Sequence, residues 1–285
     1  MTGAAMESGS KINLFLRVTG CRADGYHTVE TLFLPLALPS DVLEIDFGAA
    51  PGISLDCGDP VLSGNSNLAY RAAELYADAS GIVPSWKIRL EKRIPVAAGL
   101  GGGSADAAAV LTLLEGRYGA AGMDGLKRLA LRLGADVPFF LYRVPMTGRG
   151  IGDELTALAE PLPKLHILLV NPGFPVRAKW AYDHLAAGAG KGATLERLLA
   201  ALAARDWVRA AANIRNDLAA ALWKKFPLLG MIRDELAALG AFAVEFSVSG
   251  PPLFALFPDG EELAAAVEKF RSEHENFRIF ATEYE

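Results

Sequence analysis

The run Ala98-Gly99-Leu100-Gly101-Gly102-Gly103-Ser104 stands between a strand pattern and a helix pattern, and it restricts the possible folds more than any other feature of this chain. Before it, Trp86, Ile88 and Leu90 alternate with Lys87, Arg89 and Glu91, and Pro95 ends the alternation. After it, Ala105 to Tyr118 is rich in alanine and leucine, with no glycine until Gly116, which predicts a well-formed helix. In such a strand-turn-helix unit, backbone N–H groups close around an anion, and the helix N-terminus adds about half a positive charge. A triphosphate suits that environment. The run is not a P-loop, because no lysine follows its last glycine, and Ser104 stands where G-x-G-x-x-G has its third glycine. Taken alone, it also reads as a flexible connector or a tight packing turn.

The N-terminal part is β-rich. Ile12, Leu14, Leu16 and Val18 alternate with Lys11, Asn13, Phe15 and Arg17, which predicts a half-buried strand with Lys11 and Asn13 projecting from one side. The turn Arg22-Ala23-Asp24-Gly25 then leads through Tyr26 and His27 into a strand at 31–36, and short strands follow at 42–47 and 53–56. From Asn67 to Gly81 the apolar spacing turns helical. A helix at 126–133 precedes Ala135-Asp136-Val137-Pro138 and the apolar stretch 139–142. The Gly-rich segment 147–153, with Pro161 and Pro163, predicts a boundary between domains 1–160 and 161–285. The second domain reads as strands at 165–170, 243–249, 253–257 and 278–282 and helices at 195–212, 228–239 and 261–274. This is an α+β layer pattern.

With 285 residues, 52% hydrophobic and 21% charged, the chain has material for two modest cores. A net charge of −5 argues against a general binder of nucleic acid or anionic membrane, so any phosphate recognition must be local. Cys21 and Cys57 form no CxxC pair, and Met1 to Ser10 lacks the apolar core of a secretion signal. No apolar run reaches about eighteen residues. These features predict a cytoplasmic protein without a disulfide framework, a cysteine zinc site or an obligate protein partner.

Three segments, in order, resemble the 4-diphosphocytidyl-2-C-methyl-D-erythritol kinase family of the galactokinase/homoserine kinase/mevalonate kinase/phosphomevalonate kinase superfamily. They are Lys11-Ile12-Asn13-Leu14 with Asp24-Gly25-Tyr26-His27, Pro95 through Ala109, and Gly134-Ala135-Asp136-Val137-Pro138. Asn216-Asp217-Leu218 is a fourth. The resemblance implies a two-domain small-molecule kinase fold. Its N-terminal, ATP-binding domain would be like ribosomal protein S5 domain 2 and its C-terminal, substrate-side domain ferredoxin-like, with the active site in the cleft between. The implied cofactors are ATP and Mg²⁺, and the implied partner is a small cytidine diphosphate substrate carrying methylerythritol, phosphorylated on its 2-hydroxyl in the non-mevalonate isoprenoid route.

Carried over residue by residue, the resemblance makes Asp136 the general base and Lys11 the charge-balancing group. It assigns the ATP phosphates to Pro95, Val96, Ala97, Ala98, Gly99, Leu100, Gly101, Gly102, Gly103, Ser104 and Ala105, with Ser104 also a metal ligand. Asn13, Tyr26, His27 and Tyr182 would contact substrate. Plainer roles stand beside several of these: Asp136 and Ser104 also suit helix N-caps, and Tyr182 also suits a core position. Another kinase of the superfamily, or a non-catalytic nucleotide-binding relative, are the competing readings; the Asp24–His27 turn speaks against the first and the pair Lys11 and Asp136 against the second. The chain departs from the family pattern in a few places. Ala97 and Val248 stand where glycine is usual, Ala105 and Ala178 replace hydroxyl residues, and Pro251 and Pro252 remove two backbone donors.

Overall fold

The computed structural model describes residues 3–185 and 192–285, which form two compact units. Of these residues, the first holds 3–10, 39–96 and 101–143; the second holds 11–38, 97–100, 144–185 and 192–285.

Two long strands, β1 (Gly3–Cys21) and β2 (His27–Phe47), contribute to both units. They replace the three shorter strands read from the pattern. Ser8, Ser10, Lys11 and Asn13 are buried in β1 beside Ile12 and Leu14, so this stretch is covered on both faces rather than half-buried. The segment containing Pro35 and Pro39 falls between the β2 residues that pair with other strands on that side, 31–33 and 42–47. A proline there removes no hydrogen bond from the β4 or β5 ladder.

In the first unit, β3 (Gly52–Asp56) and β4 (Ser85–Glu91) extend the sheet in the order β3-β4-β2-β1. Helix α1 (Leu68–Ser80) starts at Asn67, whose side chain accepts from the Ala69 N–H, and stops at the left-handed Gly81. It packs against α2 (Gly102–Tyr118), and Tyr76 donates from its hydroxyl to Glu115 at 2.7 Å. Then come α3 (Gly122–Leu133) and α4 (Val137–Tyr142), the latter a helix where only an apolar stretch was read.

The second unit begins its later part with β5 (Met146–Arg149) and β6 (Glu154–Ala157), a hairpin in which β5 pairs with residues 31–33 of β2. A separate antiparallel sheet has the order β11-β7-β10-β9, from β7 (Leu165–Asn171), β9 (Ala243–Phe246), β10 (Leu253–Phe257) and β11 (Arg278–Tyr284). Helices α5 (Ala178–Asp183), α6 (Leu195–Ala203), α7 (Trp207–Asn213), α8 (Ala219–Lys225), α9 (Pro227–Ala238) and α10 (Gly260–Glu273) complete it, with β8 (Arg215–Asn216) pairing in parallel with β1. Leu222, Leu229, Ile232, Phe246, Leu253, Phe257 and Phe270 form its core. The single helix expected over 195–212 is broken, because Arg205 turns left-handed at φ 54° and Asp206 caps a new helix through the Arg209 N–H at 3.0 Å. Among the described residues no helix is long and apolar enough to cross a membrane.

Candidate active site

The glycine-rich segment is contributed in two pieces. Residues 97–100 belong to the second unit, where the Lys11 N–H donates to the Leu100 carbonyl at 2.9 Å. Gly99 lies at φ 68°, and a Cβ there would meet the Ser247 carbonyl oxygen at 2.6 Å, so only glycine fits without movement. The Ser247 hydroxyl in turn donates to the Gly99 carbonyl at 3.1 Å. Loop 97–100, β1 at Lys11 and the turn after β9 are therefore one connected patch of backbone.

The turn 247–250 is held by Asn216, whose Nδ2 donates to the carbonyls of Phe246 at 3.1 Å and Val248 at 2.7 Å, while its Oδ1 accepts from the Leu218 N–H. Val248 adopts φ 56° and Gly250 φ 64°, so the position where glycine is usual does demand a left-handed backbone. Ala97, the other such departure, lies at φ 56°. Pro251 and Pro252 are both buried. Asp217 performs a structural task. It accepts from the Val18 N–H at 2.8 Å and takes a forked contact from Arg215 at 2.6 and 3.1 Å.

In the first unit, Gly101 is the left-handed N-cap of α2 at φ 76°. The helix thus starts at Gly102 instead of Ala105, and Ser104 sits inside its first turn, not at the cap. The N–H groups of Gly102, Gly103 and Ser104 lie in the first turn, whose donors have no carbonyl four residues back to bond. Gly102 also has a packing reason, because a Cβ would come within 2.9 Å of Ile94 Cγ2; Gly103 meets nothing closer than 3.6 Å. The flanks of this segment are joined by a buried polar network. Lys92 Nζ donates to Asp41 and, at 2.7 Å, to Asp106, and Ser8 donates to the other Asp106 oxygen at 2.7 Å. The Arg93 and Ile94 N–H groups donate to Asp41 at 2.5 and 2.8 Å. Burial pushes the Asp106 carboxyl up to about 6, against the pull of Lys92. Burial also disfavours the Lys92 ammonium, but the two carboxylates outweigh it and its affinity for the proton rises.

Asp136 stands at the N-cap of α4 in the first unit, with helical φ and ψ and no capping hydrogen bond from its side chain. The helix-cap role is thereby removed. In the second unit Lys11 is 1% exposed, and its Nζ donates to Asn13 Oδ1 at 2.6 Å, which brings the expected pair together on one face of β1. The ammonium also lies 5.4 Å from the Phe33 ring centre. His27 stacks on Tyr182 with centroids 4.9 Å apart and planes at 19°. Tyr26, next to it, is 63% exposed, in a turn closed by the Arg22 N–H on the Tyr26 carbonyl at 2.7 Å.

Residues 67–143 match the GHMP kinases N terminal domain and residues 198–276 the GHMP kinases C terminal model. A relative from Nitratidesulfovibrio vulgaris (strain Hildenborough), named 4-diphosphocytidyl-2-C-methyl-D-erythritol kinase, is 39% identical over 269 residues, covering 93% of this chain and 94% of its own. The chain belongs to the 4-diphosphocytidyl-2-C-methyl-D-erythritol kinase family. It is an ATP-dependent small-molecule kinase. A crystal structure of 4-(cytidine 5'-diphospho)-2C-methyl-D-erythritol kinase superposes with a TM-score of 0.85 at 36% identity, covering 98% of each chain. The expected two-domain α+β kinase fold is thus found. A homoserine kinase structure from Cytophaga hutchinsonii shares that fold, with a TM-score of 0.77 over all of this chain and 95% of its own, at 18% identity.

Signals for two parts of this arrangement were absent from the sequence pattern. Asn216 reaches carbonyls 30 and 32 residues away, and Ser8 reaches Asp106 across 98 residues. Polar residues beside apolar strand segments, such as Thr31 before Leu32–Leu34, are the one local hint of buried networks.

Proposed function

We propose that the chain transfers the γ-phosphoryl group of ATP to the 2-hydroxyl of 4-diphosphocytidyl-2-C-methyl-D-erythritol, a step of the non-mevalonate route to isoprenoids. Identity of 39% along nearly the whole length to a relative of that name carries this reading. The fold alone would leave the acceptor open, since a homoserine kinase shares it.

In this reading Asp136 takes the proton of the attacking hydroxyl, and Lys11 offsets charge on the transferring group. The Asp136 carboxyl at the start of α4, which makes no capping hydrogen bond to that helix, supports the first role, and a buried ammonium held by a neutral amide supports the second. Residues 95–105 hold the ATP phosphates through backbone amides and the α2 N-terminus. Domain 1–160 carries ATP, and 161–285 the substrate side. Mg²⁺ takes oxygen ligands and keeps several waters, so the Ser104 hydroxyl in the first turn of α2 fits as its protein ligand. When bound, the ion neutralises phosphate charge. The His27–Tyr182 stack and exposed Tyr26 offer ring faces for the cytosine, with Asn13 among the polar substrate contacts. The two free thiols, Cys21 and Cys57, suit a reducing cytoplasm.

The test is ADP release with the cytidine diphosphate substrate beside mevalonate, homoserine and galactose. Activity confined to the first acceptor is expected. Asp136→Asn should lower kcat by about a hundredfold to ten-thousandfold with ATP binding intact, and Lys11→Met should act in the same sense. Turnover of another acceptor at a higher kcat/KM would overturn the substrate assignment.

A further inference from the structure

Thr31, Asn13 and Lys11 are buried at 0%, 2% and 1% exposure, and their hydrogen bonds admit a single assignment. The Thr31 hydroxyl lies 2.7 Å from the Phe15 carbonyl, which only accepts, so its one proton is committed there. The 2.6 Å contact between Thr31 Oγ1 and the Asn13 amide must then be a donation from Asn13 Nδ2. That leaves Asn13 Oδ1 facing Lys11 Nζ at 2.6 Å, an ammonium that only donates. The flipped amide would set oxygen lone pairs against each other at Thr31 and N–H against N–H at Lys11. In a site closed to water neither clash has relief.

We propose that Thr31 is a positioning residue for phosphoryl transfer: by fixing the orientation of the Asn13 amide, it holds the Lys11 ammonium at the point where charge develops. The inference rests on the kinase reading above and on the role of Lys11 in it. Thr31 touches neither substrate nor nucleotide in this scheme. Its polarity passes from the Phe15 backbone through one hydroxyl and one amide to the ammonium. A shift of about 1 Å in a group that stabilises a transition state is enough to cost about a hundredfold in rate, so loss of this orientation is felt in turnover.

The experiment compares Thr31→Val, Thr31→Ser and Lys11→Met with the parent protein in the ADP-release assay, with thermal unfolding recorded for each. Thr31→Val keeps the shape and removes the hydroxyl; kcat should fall about tenfold or more while KM for ATP stays within about twofold. Thr31→Ser keeps the hydroxyl and should return kcat to within about threefold of the parent. A folded Thr31→Val with parental kcat overturns the inference, and so does a Thr31→Ser that falls as far, since the methyl group and not the hydroxyl would then matter. Should Thr31→Val not fold, neutron diffraction on the parent protein decides: deuterons on the Asn13 atom facing Thr31 are expected, and deuterons on the atom facing Lys11 overturn the proposal. A parent inactive on the cytidine substrate removes the proposed function instead, and a fully active Lys11→Met removes the role of Lys11; neither result resembles a failure at Thr31 alone.

Discussion

The loop at 97–104 and the turn at 247–250 both bend through positive φ, yet they fill those bends with different residues. The loop has Gly99 at 68° and Gly101 at 76°, with Ala97 at 56° as its one side chain in that region. The turn has Gly250 at 64° but places Val248 at 56°. An L-residue in the left-handed region costs roughly 1–2 kcal/mol, and a β-branched one is strained further. In the turn that cost is met by contacts from outside: two hydrogen bonds from Asn216, and the Ser247 hydroxyl on Gly99. One motif is shaped by its own residues, the other by its neighbours.

The largest effect that tests this difference is at Gly99. Gly99→Ala adds a Cβ 2.6 Å from the Ser247 carbonyl on a backbone at φ 68°, and should destabilise by about 3 kcal/mol or more, with a matching loss of kcat/KM. Urea unfolding measures it; a variant as stable as the parent would mean that the two segments do not pack as described. Next comes Asn216→Ala, which removes both bonds that hold the turn and should cost about 2 kcal/mol. If the neighbours shape the turn, this loss should exceed that of any single surface hydrogen bond, and equal melting curves would break the comparison.

Val248→Gly relieves strain instead. It should stabilise by about 0.5–1 kcal/mol after the entropy of glycine is subtracted. A lower melting temperature in this variant would show that the half-buried valine side chain contributes more than its backbone costs. The smallest effect is expected at Ala97→Gly, within about 0.5 kcal/mol, because alanine has no branch and this one is exposed. Differential scanning calorimetry of the two variants side by side sharpens the ranking, which reverses if burial and not backbone strain governs it.

Much of this was legible in the residues. Asn67 and Gly81 mark the ends of α1 because both caps act within a turn of the helix they close. The alternation Trp86–Glu91 is β4 in its true register, and Lys11 and Asn13 meet because a strand has a period of two. The extent of β2 was hidden, since Pro35 and Pro39 interrupt the pattern while lying outside the ladders to β4 and β5. The break at Arg205 was hidden by the alanines and leucines around it, which continue a helical pattern across a left-handed residue. The polar networks stayed out of sight for another reason. Hydrogen bonds that join Asn216 to 246–248, or Ser8 to Asp106, are set by the packed fold, and no spacing along the chain encodes them. The resemblance to a kinase family pointed to Asn216-Asp217-Leu218 without giving it a task; Asn216 carries the turn and Asp217 ties β8 to β1.

The pairing of one ammonium, Lys92, with two buried carboxylates, Asp41 and Asp106, gives Asp106 a pH dependence opposite to that of a carboxylate whose pKa is lowered by folding. Burial pushes the Asp106 carboxyl up to about 6 in the folded chain, from the ordinary carboxyl value of about 4 when unfolded, so between those pH values the folded state holds the extra proton. Its contribution is complete below about pH 4 and is lost as pH rises through 6, on the order of 2–3 kcal/mol in all. At neutral pH this cluster therefore holds a surplus negative charge, and mild acidification relieves it, where an aspartate whose pKa is lowered by folding would instead lose its contribution.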